Sequence, residues 1–256
     1  MAVRGGPGED VDVVARWVRE AAAVTVLTGA GVSTDSGIPD FRGPQGVWTL
    51  DPAAQRMFDI DQYVAHHQVR VQAWRNRRDH PAWTAVPNAA HRALVGLERS
   101  GRLRALLTQN IDGLHQRAGS GAGAVLELHG TLFGVECLGC GAASTMAAAL
   151  ERVAAGEDDP RCLACGGILK AATISFGQQL RPEVLRAAGL AAADCDVFLA
   201  VGTSLRVQPA AALCEVAVGS GARFVVVNAE PTPYDVYADA VIRAPIGGAL
   251  PRIVGG

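Results

Sequence analysis

Apolar and polar positions along this chain fall into two alternating patterns. Short apolar runs end in small or polar residues at 24–31 (VTVLTGAG), 103–110 (LRALLTQN), 124–130 (AVLELHG), 197–204 (VFLAVGTS), 223–230 (RFVVVNAE) and 239–244 (DAVIRA). Stretches with helical spacing, such as 88–99 and 208–219, lie between them. Continuous apolar runs are the mark of strands covered on both faces, so the pattern predicts an α/β fold with a doubly wound parallel sheet. Two stretches interrupt it. Residues 44–86 hold Trp48, Phe58, Tyr63, Trp74 and Trp83 among helical segments, and residues 131–172 hold four paired cysteines. Both read as insertions over the strand ends. Residues 1–9 read as disordered, and the Gly-rich AGSGAGA at 118–124 as a loop.

In such a sheet, ligands bind outside the carboxyl ends of the strands. Here those ends carry Gly29–Gly31, Gln109–Asp112, His129, Gly202–Ser204 and Asn228–Glu230. Each is ordinary turn chemistry when taken singly. Five together point to a site.

The formal net charge of −2 argues against a general nucleic-acid binder. Of the 23 basic residues Lys170 is the sole lysine, a bias expected of a high-GC bacterial source. No apolar run reaches the roughly 18 residues of a membrane span, and the acidic N-terminal stretch lacks a signal-peptide core, so the expected location is cytoplasmic. In that setting paired cysteines read as metal ligands. CLGC (137–140) and CLAC (162–165) are separated by the 21 residues 141–161, close to zinc-ribbon spacing. Cys137, Cys140, Cys162 and Cys165 fill a tetrahedral shell and leave no position for water, which makes the expected zinc structural. Arg152, Arg161 and Lys170 are the basic residues near it. Cys195 and Cys214 stand apart in apolar, helical surroundings and read as small core residues.

GAGVST alone is a weak dinucleotide signal. The acidic residue that should hold the adenosine ribose about 20 residues on has no strand end to sit on, since Asp51 lies in TLDPAAQ. The loop binds a dinucleotide in some other way, or binds none.

A wider set of motifs answers the question. GAGVSTDSGIPDFRG (29–43), TQNIDGLHQRAG (108–119), LELHG (126–130), the two C-x-x-C pairs, ISFG (174–177), GTSLRVQPA (202–210) and VNAEPTP (227–233) resemble the ordered motifs of the sirtuins, the NAD-dependent protein deacylases. The resemblance covers about residues 14–254. It implies a Rossmann-like NAD-binding domain made of 10–43, 87–130 and 173–256, with a helical insertion at 44–86 and a zinc-ribbon module at 131–172. It further implies a deacetylase that consumes NAD, takes acyl-lysine proteins as substrates and releases nicotinamide and O-acetyl-ADP-ribose.

By position, the resemblance assigns NAD contacts to Gly29, Ala30, Gly31, Thr34, Phe41 and Arg42, on a loop that closes over the nicotinamide ribose. Ser36, Ile38, Asn110 and Asp112 line the nicotinamide pocket, with Gln109 and Ile111 beside them. Gly202, Thr203 and Ser204 meet the phosphates and adenosine ribose, Asn228 and Glu230 the ribose, and Ile246 in APIGGALP the adenine edge. Cleaving the glycosidic bond leaves positive charge on the ribose, which suits an uncharged, water-poor pocket with the Asp112 carboxylate holding the carboxamide. Asp112 also reads as a helix N-cap, and the two roles coexist. A strand-end histidine is more often structural than catalytic, but in this motif His129 matches the catalytic base, taking a proton from a ribose hydroxyl. His115, inside its own motif, reads as packing support. Ile174 and Phe176 are expected to wall the acyl-lysine tunnel.

The chain departs from many relatives at Ala171 and Gln178, where a Pro and a Glu are usual, and Gln178 lacks the charge that would favour basic residues beside the target lysine. Arg75 and Arg78 stand where acid-selective sirtuins carry a Tyr and an Arg, which predicts preference for neutral acyl groups. GPQGVWTL resembles chromatin-associated sirtuins, some of which transfer ADP-ribose, so mono-ADP-ribosyl transfer is the alternative activity. A non-catalytic NAD-sensing zinc scaffold is a third, opposed by the joint presence of Asn110, Asp112 and His129.

Overall fold

The computed structural model describes residues 7–255. Its strands in chain order are β1 (Val24–Thr28), β2 (Leu103–Thr108), β3 (Val125–Glu127), β4 (Gly130–Cys137), β5 (Ala143–Thr145), β6 (Leu169–Thr173), β7 (Val197–Val201), β8 (Arg223–Val227) and β9 (Ala240–Ile242). The helices are α1 (Pro7–Glu20), α2 (Val47–Leu50), α3 (Ile60–Ala65), α4 (His67–Arg78), α5 (Ala89–Arg99), α6 (Leu114–Ala118), α7 (Met146–Ala154), α8 (Pro182–Ala193), α9 (Leu213–Gly219) and α10 (Ile246–Val254).

Six strands form one parallel sheet in the order β3-β2-β1-β7-β8-β9, and the other three form an antiparallel sheet, β5-β4-β6. All six apolar runs thus become neighbours in one sheet, doubly wound about β1. Every residue of β1 and β7 is buried, as a sheet sandwiched between helical layers requires. On one face α1, α5 and α10 pack through Val14, Val18, Leu94, Leu97, Leu250 and Ile253. On the other, α8 and α9 pack through Ala188, Ala192, Leu213 and Ala217 onto Phe198 and Phe224. In α1, Val11, Val14, Ala15 and Val18 recur at helical spacing, which is why this polar segment folds as a helix with one buried stripe.

Several expectations shift. Residues 7–9 belong to α1 instead of a disordered end, and residues 1–6 lie outside the described residues. The stretch 208–219 is a short 3-10 turn at Ala210–Ala212 leading into α9. Cys214 is buried in α9 as expected, whereas Cys195 is half-buried after α8, its Sγ donating to the Ala192 carbonyl at 3.3 Å. The run at 124–130 ends as a strand at Glu127, so His129 sits in a short turn joining the large sheet to β4 of the small one.

Two histidines are locked in the core. The rings of His91 (α5) and His115 (α6) lie 4.9 Å apart, and His115 Nε2 meets Thr28 Oγ1 at 3.0 Å. Burial pushes His91 down to about 4 and His115 down to about 3 from an ordinary 6.5. In the unfolded chain both take protons near 6.5, while in the fold they stay neutral. Stability is therefore complete above pH 6.5 and is lost as pH falls from there towards 4 for His91 and 3 for His115. At pH 5, above the carboxylate range, the expected loss is about 2–4 kcal/mol for the pair, a fall in Tm of roughly 5–15 °C from the pH 7.5 value. Equal melting temperatures at the two pH values would show that these rings are solvated.

Candidate active site and metal centre

Parallel pairing places the strand ends level. Thr28 is opposite Thr108 and Val201, Thr108 is opposite Glu127, and Val201 is opposite Val227. The loops after β1, β2, β3, β7 and β8 therefore leave the sheet side by side. Gly29 and Gly31 permit this contact: a Cβ on either would lie within 3 Å of Gly202 in the loop after β7.

The polar side chains there form two connected groups. Ser33 Oγ donates to Asp112 Oδ2 at 2.7 Å, while Asn110 Nδ2 donates to Gly29 O at 3.1 Å and to Ser33 Oγ at 3.2 Å. All three side chains are buried. The second carboxylate oxygen, Oδ1, accepts the Leu114 N–H at 2.9 Å, although the N-cap of α6 is Gly113 and Asp112 stands one residue before the expected cap position. The other group links strand ends: Gln109 Nε2 donates to Thr203 Oγ1 at 2.9 Å, and the Gln109 carbonyl faces His129 Nδ1 at 3.1 Å. A carbonyl only accepts, so Nδ1 carries the ring hydrogen and neutral His129 keeps its lone pair on Nε2. Burial lowers the His129 pKa and the bond to Gln109 partly opposes that, which favours the base form at neutral pH.

The loop after β1 makes two 3-10 turns, Ala30–Val32 and Thr34–Ser36, instead of the helix of a hydride-transfer fold. Asn88 pins it, its Nδ2 donating to Val32 O at 2.8 Å and Ser36 Oγ at 3.0 Å. Ile38 is buried against Leu114 and Leu132 with Ile111 beside it, and Thr34 is exposed. Farther along, the ring of Phe41 lies 4.7 Å from that of Trp48, which in turn lies 5.6 Å from Phe176. The Arg42 guanidinium stacks 4.5 Å from the Trp48 ring centre. Phe41, Arg42, Trp48, Phe176 and Arg206 border an open cleft of about 600 Å³. Ile174, on the same segment as Phe176, donates its N–H to the His129 carbonyl at 2.9 Å and packs on the large-sheet core.

At the far end, Asn228 Nδ2 donates to Glu230 O at 2.8 Å, and Arg243 donates to both their carbonyls at 2.7 and 3.0 Å. Glu230 is exposed, Ser204 half-buried, and Ile246 begins α10 against the core. Gln178 folds back, its Oε1 accepting the Ser175 N–H at 3.0 Å.

The four paired cysteines gather at the tip of the small sheet. Their Sγ atoms all lie within 4.8 Å of one another, with Cys137–Cys165 at 3.5 Å and Cys140–Cys162 at 3.7 Å. A Zn–S distance of about 2.3 Å gives a tetrahedron with edges of about 3.8 Å, so the donor set fits one zinc and closes its shell. The two knuckles match. Gly139 N–H and Gly167 N–H point at Cys137 Sγ and Cys165 Sγ at 3.3 and 3.4 Å, and Gly141 and Gly166 take the left-handed φ that each turn needs. Backbone N–H groups of Cys140 and Gly139 lower the Cys137 thiol, while the clustered thiols raise Cys165, as expected of four ligands crowded around one cation site. Cys137 and Cys162 also belong to a core with Met146, Leu169 and Trp74 of α4, so the zinc module and the helical segment share one interior.

A family model described as the Sir2 family matches residues 29–209. The chain belongs to the Sir2 family. This sirtuin is 58% identical over 233 residues to NAD-dependent protein deacetylase 2 of Streptomyces coelicolor, covering 91% of this chain and 97% of the relative. It is 43% identical to NAD-dependent protein deacetylase 1 of Pyrobaculum aerophilum, covering 96% of this chain and 94% of that one. Among solved structures it resembles a Sir2 with deacetylated p53 peptide and 3′-O-acetyl ADP ribose, at TM-score 0.88 and 34% identity, covering 96% and 97% of the two chains. It also resembles a Sir2 with p53 peptide and NAD+, at TM-score 0.83 and 34% identity, covering 94% and 95%. No helix among the described residues is long and apolar enough to cross a membrane.

Three contributors escape the sequence reading. Ser33 joins Asp112 to Asn110, yet a serine in a Gly-rich loop looks like turn chemistry. Asn88 holds the loop from the start of α5, where its side chain is also the N-cap. Arg206 borders the cleft from the GTSLRVQPA motif, whose glycine and hydroxyls drew attention instead.

Proposed function

We propose that this sirtuin is an NAD-dependent protein lysine deacetylase that consumes NAD and releases nicotinamide and O-acetyl-ADP-ribose. The observation that carries this reading is the placement of the buried Asp112–Ser33–Asn110 group and the His129 base on adjoining loops beyond the strands, next to the Ile174–Phe176 segment. Residues Gly29, Ala30, Gly31, Thr34, Phe41 and Arg42 would hold NAD from the first loop and Gly202, Thr203 and Ser204 from the loop after β7. Asn228, Glu230 and Ile246 would hold its adenosine half.

NAD supplies a glycosidic bond whose cleavage leaves positive charge on the ribose. Ser33 fixes the Asp112 carboxylate while the Leu114 N–H holds its other oxygen, so that charge is preorganised at the pocket wall. Asn110, Ser36, Ile38 and Ile111 close that pocket against water. His129 Nε2 takes a proton from a ribose hydroxyl, with Nδ1–H anchored on the Gln109 carbonyl throughout. Ile174 and Phe176 flank the acyl-lysine. Cys137, Cys140, Cys162 and Cys165 would hold zinc in a closed shell with a structural role, and thiolate ligation fits a reducing, cytoplasmic setting.

An acetyl-lysine peptide with isotopically labelled NAD tests the reading. Nicotinamide release, loss of the acetyl mass and an unlabelled protein are expected. Label on protein with the acetyl group retained would mean ADP-ribosyl transfer, and no nicotinamide at all would mean a non-catalytic scaffold.

Acyl preference follows from α4. Arg75 and Arg78 are both exposed, and Arg78 is paired with Asp79 at 2.8 Å, so neither offers a clamp for an acidic acyl group. A succinyl carboxylate left short of a hydrogen bond costs roughly 1–3 kcal/mol, a tenfold to hundredfold preference for acetyl. Matched acetyl- and succinyl-lysine peptides compared by kcat/KM at saturating NAD decide it, and a succinyl value equal to or above the acetyl value sinks the idea.

A further inference from the structure

Between α4 and β6 lies a narrow cavity, partly open to solvent, lined by Tyr63, Trp74, Arg77, Lys170, Thr173 and Ser175 among others. Two cations share it, and neither makes an ion pair among the described residues. Lys170 is 5% exposed, and its Nζ donates to the backbone carbonyls of Ala171, at 3.3 Å, and Thr173. The half-buried Arg77 makes no side-chain hydrogen bond or ion pair among the described residues; its backbone carbonyl is fixed by Trp83 Nε1 at 2.6 Å.

The nearby acids are committed elsewhere. Asp159 is paired with Arg70 at 2.8 Å and Arg161 at 3.0 Å, Glu136 with Arg181, and Asp79 with Arg78. The Tyr63 hydroxyl donates to the Leu169 carbonyl at 2.8 Å. Ser175 Oγ makes no hydrogen bond among the described residues. Burial, together with the neighbouring Arg77 charge, pushes the Lys170 ammonium down to about 8 against partial support from Glu136, and burial lowers Arg77 as well, so two positive charges share a dry pocket. Leaving buried charge unpaired is costly, and a guanidinium beside an ammonium is the donor set that recognises oxygen anions.

We propose that this cavity is a binding site for a small oxyanion, a phosphate or a free carboxylate, held between Arg77 and Lys170 with the Ser175 hydroxyl as a further donor. It is separate from the acyl-lysine path of the proposed function. Side chains alternate along the extended segment from Thr173 to Phe176. Thr173 and Ser175 face the cavity, while Ile174 packs on the opposite side against the large-sheet core. The anion sits behind that segment and ties α4 of the helical insertion to β6.

The test uses the zinc-loaded full chain, melted with sodium phosphate or sodium acetate against sodium chloride at matched ionic strength. Millimolar phosphate or acetate is expected to raise Tm by a few degrees in the wild type. Lys170→Met is expected to match or exceed the wild-type Tm in chloride, because it removes an unpaired buried charge, and to show no anion-specific rise. Arg77→Gln should lose most of the rise. No anion-specific rise in the wild type overturns the site. A rise of equal size in both variants also overturns it, since it would assign the anion to another place such as the nucleotide loop. All readouts are thermal, so they stand whether or not the chain deacetylates a peptide.

Discussion

Replacing His129 by alanine lowers kcat/KM for an acetyl-lysine peptide by roughly 10²–10⁴-fold, the range over which a positioned general base acts, and leaves NAD affinity within a few-fold of wild type. The separation follows from geometry. His129 meets the nucleotide-binding loops through one bond, Nδ1 to the Gln109 carbonyl, and Gln109 keeps its own bond to Thr203 when the ring is gone. The acid limb of wild-type kcat/KM adds a second readout. Burial lowers the His129 pKa, so Nε2 stays unprotonated at neutral pH and activity falls only as pH drops through a midpoint below 6.5. Calorimetry of NAD binding beside the deacylation assay checks both. Turnover near wild type in His129→Ala would move the base to another group.

Stripping zinc, or replacing Cys137 by serine, unfolds the small sheet and abolishes activity. Structural zinc binding carries apparent free energies of about 10–16 kcal/mol in small modules, more than a sheet this size gains from its own packing. Damage spreads because Trp74 of α4 lies in the same core as Cys137 and Cys162, and because residues 58–60 pair with Phe176 through the Ile60 N–H and the Phe58 carbonyl. Loss of the ribbon therefore loosens the segment that flanks the substrate. Elemental analysis with tryptophan fluorescence and activity follows it. A zinc-free protein that stays folded and active would show that the cysteines serve another purpose.

What the sequence made legible tracks where local chemistry dictates structure. Strands buried on both faces must be apolar throughout, so VTVLT and VFLAV could hardly be anything else. C-x-x-C pairs carry their geometry in the spacing. His129 was legible as a residue but misplaced at a strand end, because LEL continues the apolar alternation while its pairing with β2 stops at Glu127. Gly29 and Gly31 read as NAD contacts, and in the fold a Cβ on either would first meet Gly202 of the adjoining loop. Arg77 and Lys170 were opaque. A cation in RNRR looks like one more charge on a wet helix face, and its burial arises from packing α4 across β6, contacts nearly a hundred residues apart in sequence.

Lys170 also defines the enzyme by what its exterior lacks. The chain has one ε-amine, and it is buried. A catalyst that strips acyl groups from lysine thus shows neighbouring copies no lysine side chain to bind, so crowding brings no competition from its own kind. Reactive acyl thioesters and acyl phosphates find no surface ε-amine to mark either. The eraser cannot be written upon.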